Sequence, residues 1–320
     1  MSPGAIVGTA VQVVLVTALA PVLVGVTRQT RARLEGRAGA GWWQPYRDLR
    51  KLFRKQWLRP KGTTIIFAVA PGLVAASTLV AAGLVPIVVA SPSTARVGDM
   101  FVVVGLLLFG TVMFTLAGLD SGTAFGGMGA SRTITMAALV EPSLLLAVFA
   151  LSVPVHSTSL AAIVTFVAGH PAAVAKPGAV LAGAALVVAA LAEAGRLPVD
   201  NPATHLELTM VHEAMTLDYA GPQLALVEWA SALRLTVLLA LLVNLFWPAG
   251  IAIHTTTAGA LLLATVSITV KVALLAAVLA GGEVFLAKLR LFRVPELLAG
   301  AFLLGLLAVT ASSVLSASAS

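Results

Sequence analysis

Residues 193–228 read EAGRLPVDNPATHLELTMVHEAMTLDYAGPQLALVE, from Glu193 to Glu228. Six carboxylates (Glu193, Asp200, Glu207, Glu213, Asp218 and Glu228) stand here against one cation, Arg196. The chain holds 13 acidic residues in all, so nearly half of them crowd into this stretch. It begins inside one hydrophobic segment and ends at the mouth of the next. Carboxylates set against a bilayer are costly to place and tend to be functional, often as parts of proton relays. The stretch is therefore the candidate working part of a membrane protein, provided that the flanking sequence supplies a membrane domain.

The flanking composition does so. Hydrophobic residues make up 59% of the 320 and charged residues 10%, against about 25% charged in soluble domains. Such a chain could not cover its surface with polar groups in water. The expected fold class is an all-α integral membrane protein, residues 1–320 forming a single membrane domain with cytoplasmic amphipathic helices. A span needs about 20 mostly apolar residues. Eight segments qualify, at about 5–26, 65–90, 101–119, 133–153, 175–194, 228–247, 257–280 and 296–315. Pro71 and Pro86 predict kinks or a shortened core in the second. Residues 1–4 carry no Lys or Arg, so the first span is expected to stay in the mature protein and not be cleaved as a signal peptide.

The charge pattern orients these spans. Residues 27–63 hold 11 Lys/Arg against Glu35 and Asp48, a net +9 in a chain whose total is +7. Between two hydrophobic spans, such a cluster marks the cytoplasmic, anionic-lipid side and not nucleic acid. With it inside, 16 of the 20 cations fall on the cytoplasmic side, Arg96 and Lys176 outside, and Arg234 and Lys271 within spans. The acidic loop 195–223 is then cytoplasmic and both termini face outward, in a multi-pass plasma (inner) membrane protein.

The chain has no cysteine, which excludes disulfides and thiolate-held iron–sulfur clusters in it. His205 and His212 stand seven apart, and no HExxH-like ligand set appears. No redox centre, metal site or catalytic residue is expected in this chain.

Five local features carry candidate chemistry. Residues 42–57 (WWQPYRDLRKLFRKQW) predict a two-faced helix, with Tyr46, Leu49, Leu52, Phe53 and Trp57 on one side and Arg47, Lys51, Arg54 and Lys55 on the other. It reads as a lipid-anchoring interfacial helix, or as a partner-docking surface with Asp48 and the Gln44–Pro45 turn as its specific elements. Glu141 lies about 12 Å along its helix from Thr133 and precedes Pro142, which frees a carbonyl; a proton-carrying site and a locked structural hydrogen bond both fit. Glu193 and Arg196, three apart, are expected to share a helix face as a pair. Asn201–Pro202 is expected to start a helix and Gly221–Pro222 to end it, with His205, Thr209, His212, Glu213 and Thr216 on one face and Glu207 and Asp218 roughly opposite. Its histidines either titrate near neutral pH or are structural. Lys271, mid-span, needs a counter-charge or a wet cavity, with Glu141 and Glu193 as candidate partners, whereas Arg234 is expected to snorkel or pair with Glu228. The glycine run from Gly118 to Gly129 reads as a flexible inner loop.

These residues resemble one family. AEAGRLPVDNPATHLEL, from Ala192 to Leu208, is similar to the A-E-x-x-R-x-P-x-D-x-P-x-x-x-x-E-L pattern of the complex I subunit 1 family, a membrane component of NADH–quinone oxidoreductase and of its hydrogenase relatives. Leu217–Gly221 (LDYAG) resembles that family's glutamate-Tyr-Ser-Gly element, and QPYRDLRKLFRK its Q-P-x-x-D-x-x-K-L pattern. QPYRDL, GMGASR, Glu141–Pro142 and LTMVHEAM look most like the formate hydrogenlyase/hydrogenase-4 branch. The Arg-x-Gly-Pro element usual in quinone-reducing members is missing. Asp218, Ala220 and Gln56 stand where many members have Glu, Ser and Glu.

The resemblance implies a membrane anchor and coupling subunit, linking cytoplasmic electron transfer to proton or sodium translocation. Its proton path and coupling residues would be Glu141, Glu193, Arg196, Asp200, Glu207 and Asp218, to which Glu213 and Lys271 are added from their own places in the sequence. Partner docking falls to Gln44, Pro45, Tyr46, Arg47, Asp48 and Lys51. Implied partners are hydrogenase-like large and small subunits, an iron–sulfur subunit and antiporter-like membrane subunits, with a [NiFe] centre and iron–sulfur clusters in those partners. Two rivals stand beside this reading: a quinone-chamber subunit of an NADH–quinone oxidoreductase, and a stand-alone ion transporter built on Glu141 and Lys271.

Overall fold

Helices in this chain begin where the sequence supplies an acceptor for their first amides. Thr64, Asp99, Thr123 and Thr257 each accept a hydrogen bond from a backbone N–H in the turn that follows, and proline occupies the opening turns at Pro45, Pro177 and Pro222. The computed structural model describes residues 3–90, 98–197, 199–200, 211–253, 257–286 and 293–317. The α-helices are α1 (Pro3–Leu34), α2 (Gln44–Phe53), α3 (Ile65–Leu84), α4 (Met100–Asp120), α5 (Ala124–Ser152), α6 (Leu160–Gly169), α7 (Pro177–Glu193), α8 (His212–Thr216), α9 (Gly221–Phe246), α10 (Ala258–Phe285) and α11 (Val294–Ala317).

The all-α membrane fold expected from composition is present. Among the described residues, seven helices (α1, α3, α4, α5, α9, α10 and α11) are long and apolar enough to cross a membrane. The segment predicted at 175–194 is α7, whose 17 residues reach about 25 Å, short of a full hydrocarbon core. A further short apolar helix, α6, falls where no span was predicted. Helix α9 sits centrally, packed on α1, α2, α3, α7 and α10, while α5, α7 and α11 pack on one another.

Several predicted boundaries move, each for a local reason. The second span stops at Leu84, before Pro86. Val85 and Ile87 to Ala90 nevertheless stay buried beyond the end of the helix. Gln12 makes this possible: its Nε2 donates to the carbonyls of Ala82 and Val85, and its Oε1 accepts from the amides of Ile87 and Val88. Asn244 donates to the carbonyls of Pro86 and Ile87. Irregular backbone survives at membrane depth only when protein satisfies it in this way.

The glycine run is not a loop. Gly118 lies in α4 and Gly126, Gly127 and Gly129 in α5, with only Ser121 to Thr123 between the helices. Gly221–Pro222 opens α9 and does not close the preceding helix, so the sixth span begins at 221 and carries Glu228 inside it. Gly221 has φ +59°, and a Cβ there would collide with the Gln56 carbonyl, where the segment after α2 crosses the start of α9. The helix predicted from Asn201 is described only from His212 to Thr216; Asn201, Pro202, His205, Glu207 and Thr209 lie outside the described residues.

The amphipathic helix is shorter than its pattern, ten residues from Gln44 to Phe53. It packs on α1 and α9. Pro45 is buried and Tyr46, Leu49 and Leu52 are partly so, whereas Phe53 and Trp57 stay exposed. The Tyr46 hydroxyl donates to the Ala18 carbonyl of α1, and burial raises its phenol above the ordinary value. Tyr46→Phe is expected to lower unfolding stability by about 1 kcal/mol. Thermal unfolding of the detergent-solubilised chain checks this, and no change would mean that the bond does not hold α2 to α1.

Candidate functional site

Helix α7 ends on Gly195. The Arg196 amide reaches back to the Leu191 carbonyl at 2.9 Å, and Gly195 takes φ +59°. This left-handed closure turns the chain out of helical register immediately after Glu193. Glu193 and Arg196 therefore diverge, and the predicted pair between them does not form. Each finds a different partner across the bundle.

Glu193 pairs with Arg234 of α9, the two side chains being 5% and 14% exposed. The same guanidinium nitrogen donates to the Leu107 carbonyl at 2.8 Å and to Thr111 Oγ1 at 2.6 Å, so one cation ties α9 to α7 and α4. Arg234 neither snorkels nor pairs with Glu228. Arg196 pairs with Glu283 of α10 at 3.4 Å, and Glu283 lies 4.0 Å from Arg31 of α1, which also holds Glu35 at 2.9 Å. Glu283 is the site residue that sequence reasoning missed. It lies just beyond the predicted end of its span, among Lys288, Arg290 and Arg293, where the positive-inside pattern drew attention to the cations alone.

These groups converge on a cavity of about 450 Å³. Glu193, Arg196, Asp200, His212, Glu213 and Arg234 line it, as do Arg28, Arg31, Glu228 and Glu283. The His212 amide donates to Asp200 at 3.3 Å. The His212 ring lies against Phe114, centroids 4.8 Å apart, and burial pushes its imidazole down to about 4, Asp200 acting the other way. His212 is thus neutral near pH 7 and does not titrate there. In the unfolded chain it takes a proton near pH 6.5, so acidification favours unfolding: stability falls as pH drops below about 6.5 and continues to fall towards 4. Between pH 6.5 and 5, His212 is expected to contribute a loss of about 2 kcal/mol. Unfolding of wild type and His212→Asn across that range reads this; equal pH slopes would overturn it.

Glu141 sits behind the cavity wall on α5, 5% exposed. It is within electrostatic reach of both Glu193 and Arg234. By distance and angle neither carboxylate oxygen is bonded among the described residues, while Glu193 lies close enough to share a proton with it. Two carboxylates facing one guanidinium form a cluster that is charge-balanced when it holds one proton. The geometry can therefore store a proton between Glu141 and Glu193.

The remaining predicted residues lie in three other places. Asp218 accepts from Thr123 Oγ1 at 2.8 Å, next to Tyr219, whose ring stacks on Phe67 at 4.2 Å and whose hydroxyl donates to the Phe67 carbonyl. Burial and the neighbouring Asp218 and Asp120 raise the Tyr219 phenol well above its usual value. Lys271 has neither Glu141 nor Glu193 as its counter-charge. Its ammonium donates to the carbonyls of Trp247 and Ala249 and lies 5.5 Å from the Trp247 ring centre. Trp247 is 13 residues beyond Arg234, about 20 Å along the helix direction, so Lys271 caps the far end of α9 and not the cavity. On α2, Gln44 donates to Asp48 at 2.9 Å and Asp48 lies 3.9 Å from Arg28, which directs Asp48 towards α1, while Arg47 and Lys51 are exposed. No group of three or more His, Asp or Glu side chains among the described residues is arranged to hold a metal ion.

A model of the NADH dehydrogenase family matches residues 7–313. The chain belongs to this family. Two relatives come from Escherichia coli (strain K12). Formate hydrogenlyase subunit 4 is 34% identical over 287 residues, 90% of this chain and 92% of that protein. Hydrogenase-4 component C is 36% identical over 240 residues, 75% of this chain and 74% of that protein. Among solved structures, a chain of the membrane-bound sulfane sulfur reductase, an archaeal respiratory membrane complex, superposes with a TM-score of 0.79 over 97% of this chain and 100% of that one. At 19% identity, that likeness concerns the fold. The helix bundle of this NADH dehydrogenase family member thus matches a known membrane architecture along 97% of its length.

Proposed function

We propose that this chain is the membrane anchor and coupling subunit of a hydrogenase-4/formate hydrogenlyase-like oxidoreductase complex, linking cytoplasmic electron transfer to proton or sodium translocation. The observation that carries the proposal is the charged cavity, where the Glu193–Arg234 and Arg196–Glu283 pairs meet the acidic segment, with Glu141 directly behind. The similarity to hydrogenase-4 component C and formate hydrogenlyase subunit 4 supports it.

In this reading, hydrogenase-like large and small subunits and an iron–sulfur subunit sit over the cavity, and antiporter-like subunits adjoin the bundle. The [NiFe] centre and iron–sulfur clusters belong to those partners, because this chain has no cysteine to hold a cluster. Electron transfer above Asp200 and Glu213 changes the field at the cavity, which alters where the shared proton rests between Glu193 and Glu141. Arg196, tied to Glu283 and through it to Arg31, transmits changes at the cavity mouth to α10 and α1. Asp218 holds the segment before α9 to the turn at Thr123. The mouth faces the cytoplasm of a plasma-membrane protein whose termini lie outside, with anionic lipids around the basic segment 27–63.

One observation favours a second reading, a quinone chamber: the cavity's volume lies within the range of small-molecule sites. Mild-detergent purification of the chain from its native membrane separates the two. Co-purification of a cysteine-rich subunit with nickel and iron is the expected result. Iron without nickel, together with quinone-dependent activity, would move the chain to the quinone reading. A chain that purifies alone, under conditions that preserve other membrane complexes, would sink both and leave a transporter.

A further inference from the structure

A second cavity, of about 290 Å³, opens between α1, α2 and α9. Three cations line it: Arg28 from α1, Lys51 from α2 and Lys55 just beyond α2. Two acids, Asp48 and Glu228, line it as well. Asp48 is already engaged, by Gln44 at 2.9 Å and Arg28 at 3.9 Å, so its charge is largely answered within the protein.

The floor of the cavity has a different chemistry. Pro21 and Val24 of α1 and Ala232 of α9 line it, all from membrane-spanning helices. An occupant that reaches from the lysines to these residues passes from charge to hydrocarbon within one cavity. The segment that carries α2 also leaves Trp42, Trp43, Phe53, Trp57 and Leu58 exposed. Tryptophan collects at the headgroup level of bilayers, and a helix with cations on one side and aromatics on the other lies in that interface. Residues 27–63 carry a net +9, which attracts anionic headgroups at about 1 kcal/mol per cation near the surface. A soluble protein partner would match the charges but not the apolar floor.

We propose that this cavity is a binding site for an anionic phospholipid. Arg28, Lys51 and Lys55 hold its phosphodiester, and the first acyl carbons lie against Pro21, Val24 and Ala232. The exposed tryptophans sit beside it in the interface. The bound lipid fills the seam between α2 and the two spans that it crosses, next to the charged cavity, with which it shares Val24, Arg28, Glu228 and Ala232 in its lining. The inference depends on the membrane fold and not on the identity of the redox partner.

Quenching of tryptophan fluorescence tests it on the full chain in bilayers. Phosphatidylglycerol and phosphatidylcholine, each brominated on the acyl chain, are compared in turn. Wild type is expected to prefer phosphatidylglycerol, and Lys51→Gln/Lys55→Gln to lose about thirty-fold in that relative affinity. A control variant, Arg33→Gln/Lys61→Gln, removes the same charge from exposed positions outside the cavity and should retain most of the preference. Three results would overturn the site. Wild type could show no preference. Both variants could lose it equally, which would make the attraction diffuse. Millimolar inorganic phosphate could abolish it, which would make the ligand a free anion.

Discussion

Replacing Arg234 by methionine should lower the unfolding free energy of the detergent-solubilised chain by about 3–5 kcal/mol, the range for removing one partner of a buried ion pair. Arg234 is the hub of its neighbourhood: it neutralises Glu193 and donates to the Leu107 carbonyl and Thr111. Methionine matches much of its length and leaves little empty space, so the loss reports charge and hydrogen bonds more than packing. With Arg234 gone, Glu193 and the nearby Glu141 face each other with no guanidinium between them. The double variant Arg234→Met/Glu193→Gln removes both charges of the pair and should recover roughly half of the loss, since replacing a whole buried pair is often close to neutral. Unfolding midpoints of the two variants and Glu193→Gln form a double-mutant cycle. A single variant as stable as wild type, or a double variant no better than the single, would show that the pair is not what joins α7 to α9.

The second large effect is on transport and not on stability. In the intact complex, Glu141→Gln should slow ion movement on the order of a hundredfold, the lower part of the range for losing a positioned proton-transfer group, while electron transfer stays within about twofold. The amide has the shape of the acid but carries no transferable proton. Because the amide keeps the shape of the acid and can still hydrogen-bond to the neighbouring Glu193, assembly should be spared. Glu193→Gln should also uncouple, but with a structural cost, because it weakens the contact to Arg234. Reconstituted vesicles with a pH-sensitive dye, assayed beside redox turnover, separate the two readouts. Normal pumping by Glu141→Gln would remove Glu141 from the relay.

The site was legible in the sequence as a population of residues, but not as a set of contacts. Glu193, Arg196, Asp200, His212 and Glu213 all line the cavity, and they were visible because acids against apolar spans are rare enough to stand out. Their partners were not visible. The i,i+3 rule joined Glu193 to Arg196, but it holds only while a helix continues, and Gly195 ends that helix between them. Arg234 and Glu283 are 41 and 87 residues from the groups they pair with, a separation that no local pattern spans. The partners of Lys271 were hidden for the same reason: its depth in the span was readable, but the carbonyls of Trp247 and Ala249 that it meets, just past α9, lie more than 20 residues away.

Sequence alone determined that this is an all-helical membrane protein: a chain with 59% hydrophobic and 10% charged residues belongs in a bilayer, and its apolar runs of about 20 residues fit helices and are too long for barrel strands. It also determined where most spans lie and that nearly half of the acidic residues crowd between residues 193 and 228, since apolar run length and charge exclusion act locally along the chain. Only the tertiary structure decided which carboxylate meets which guanidinium, that Glu283 belongs to the site, and that Gln12 and Asn244 hold a non-helical segment in the core. Those outcomes depend on how helices distant in sequence come to lie side by side. In a bilayer that is set by packing and by the need to partner each buried polar group, not by the hydrophobicity that the helices share.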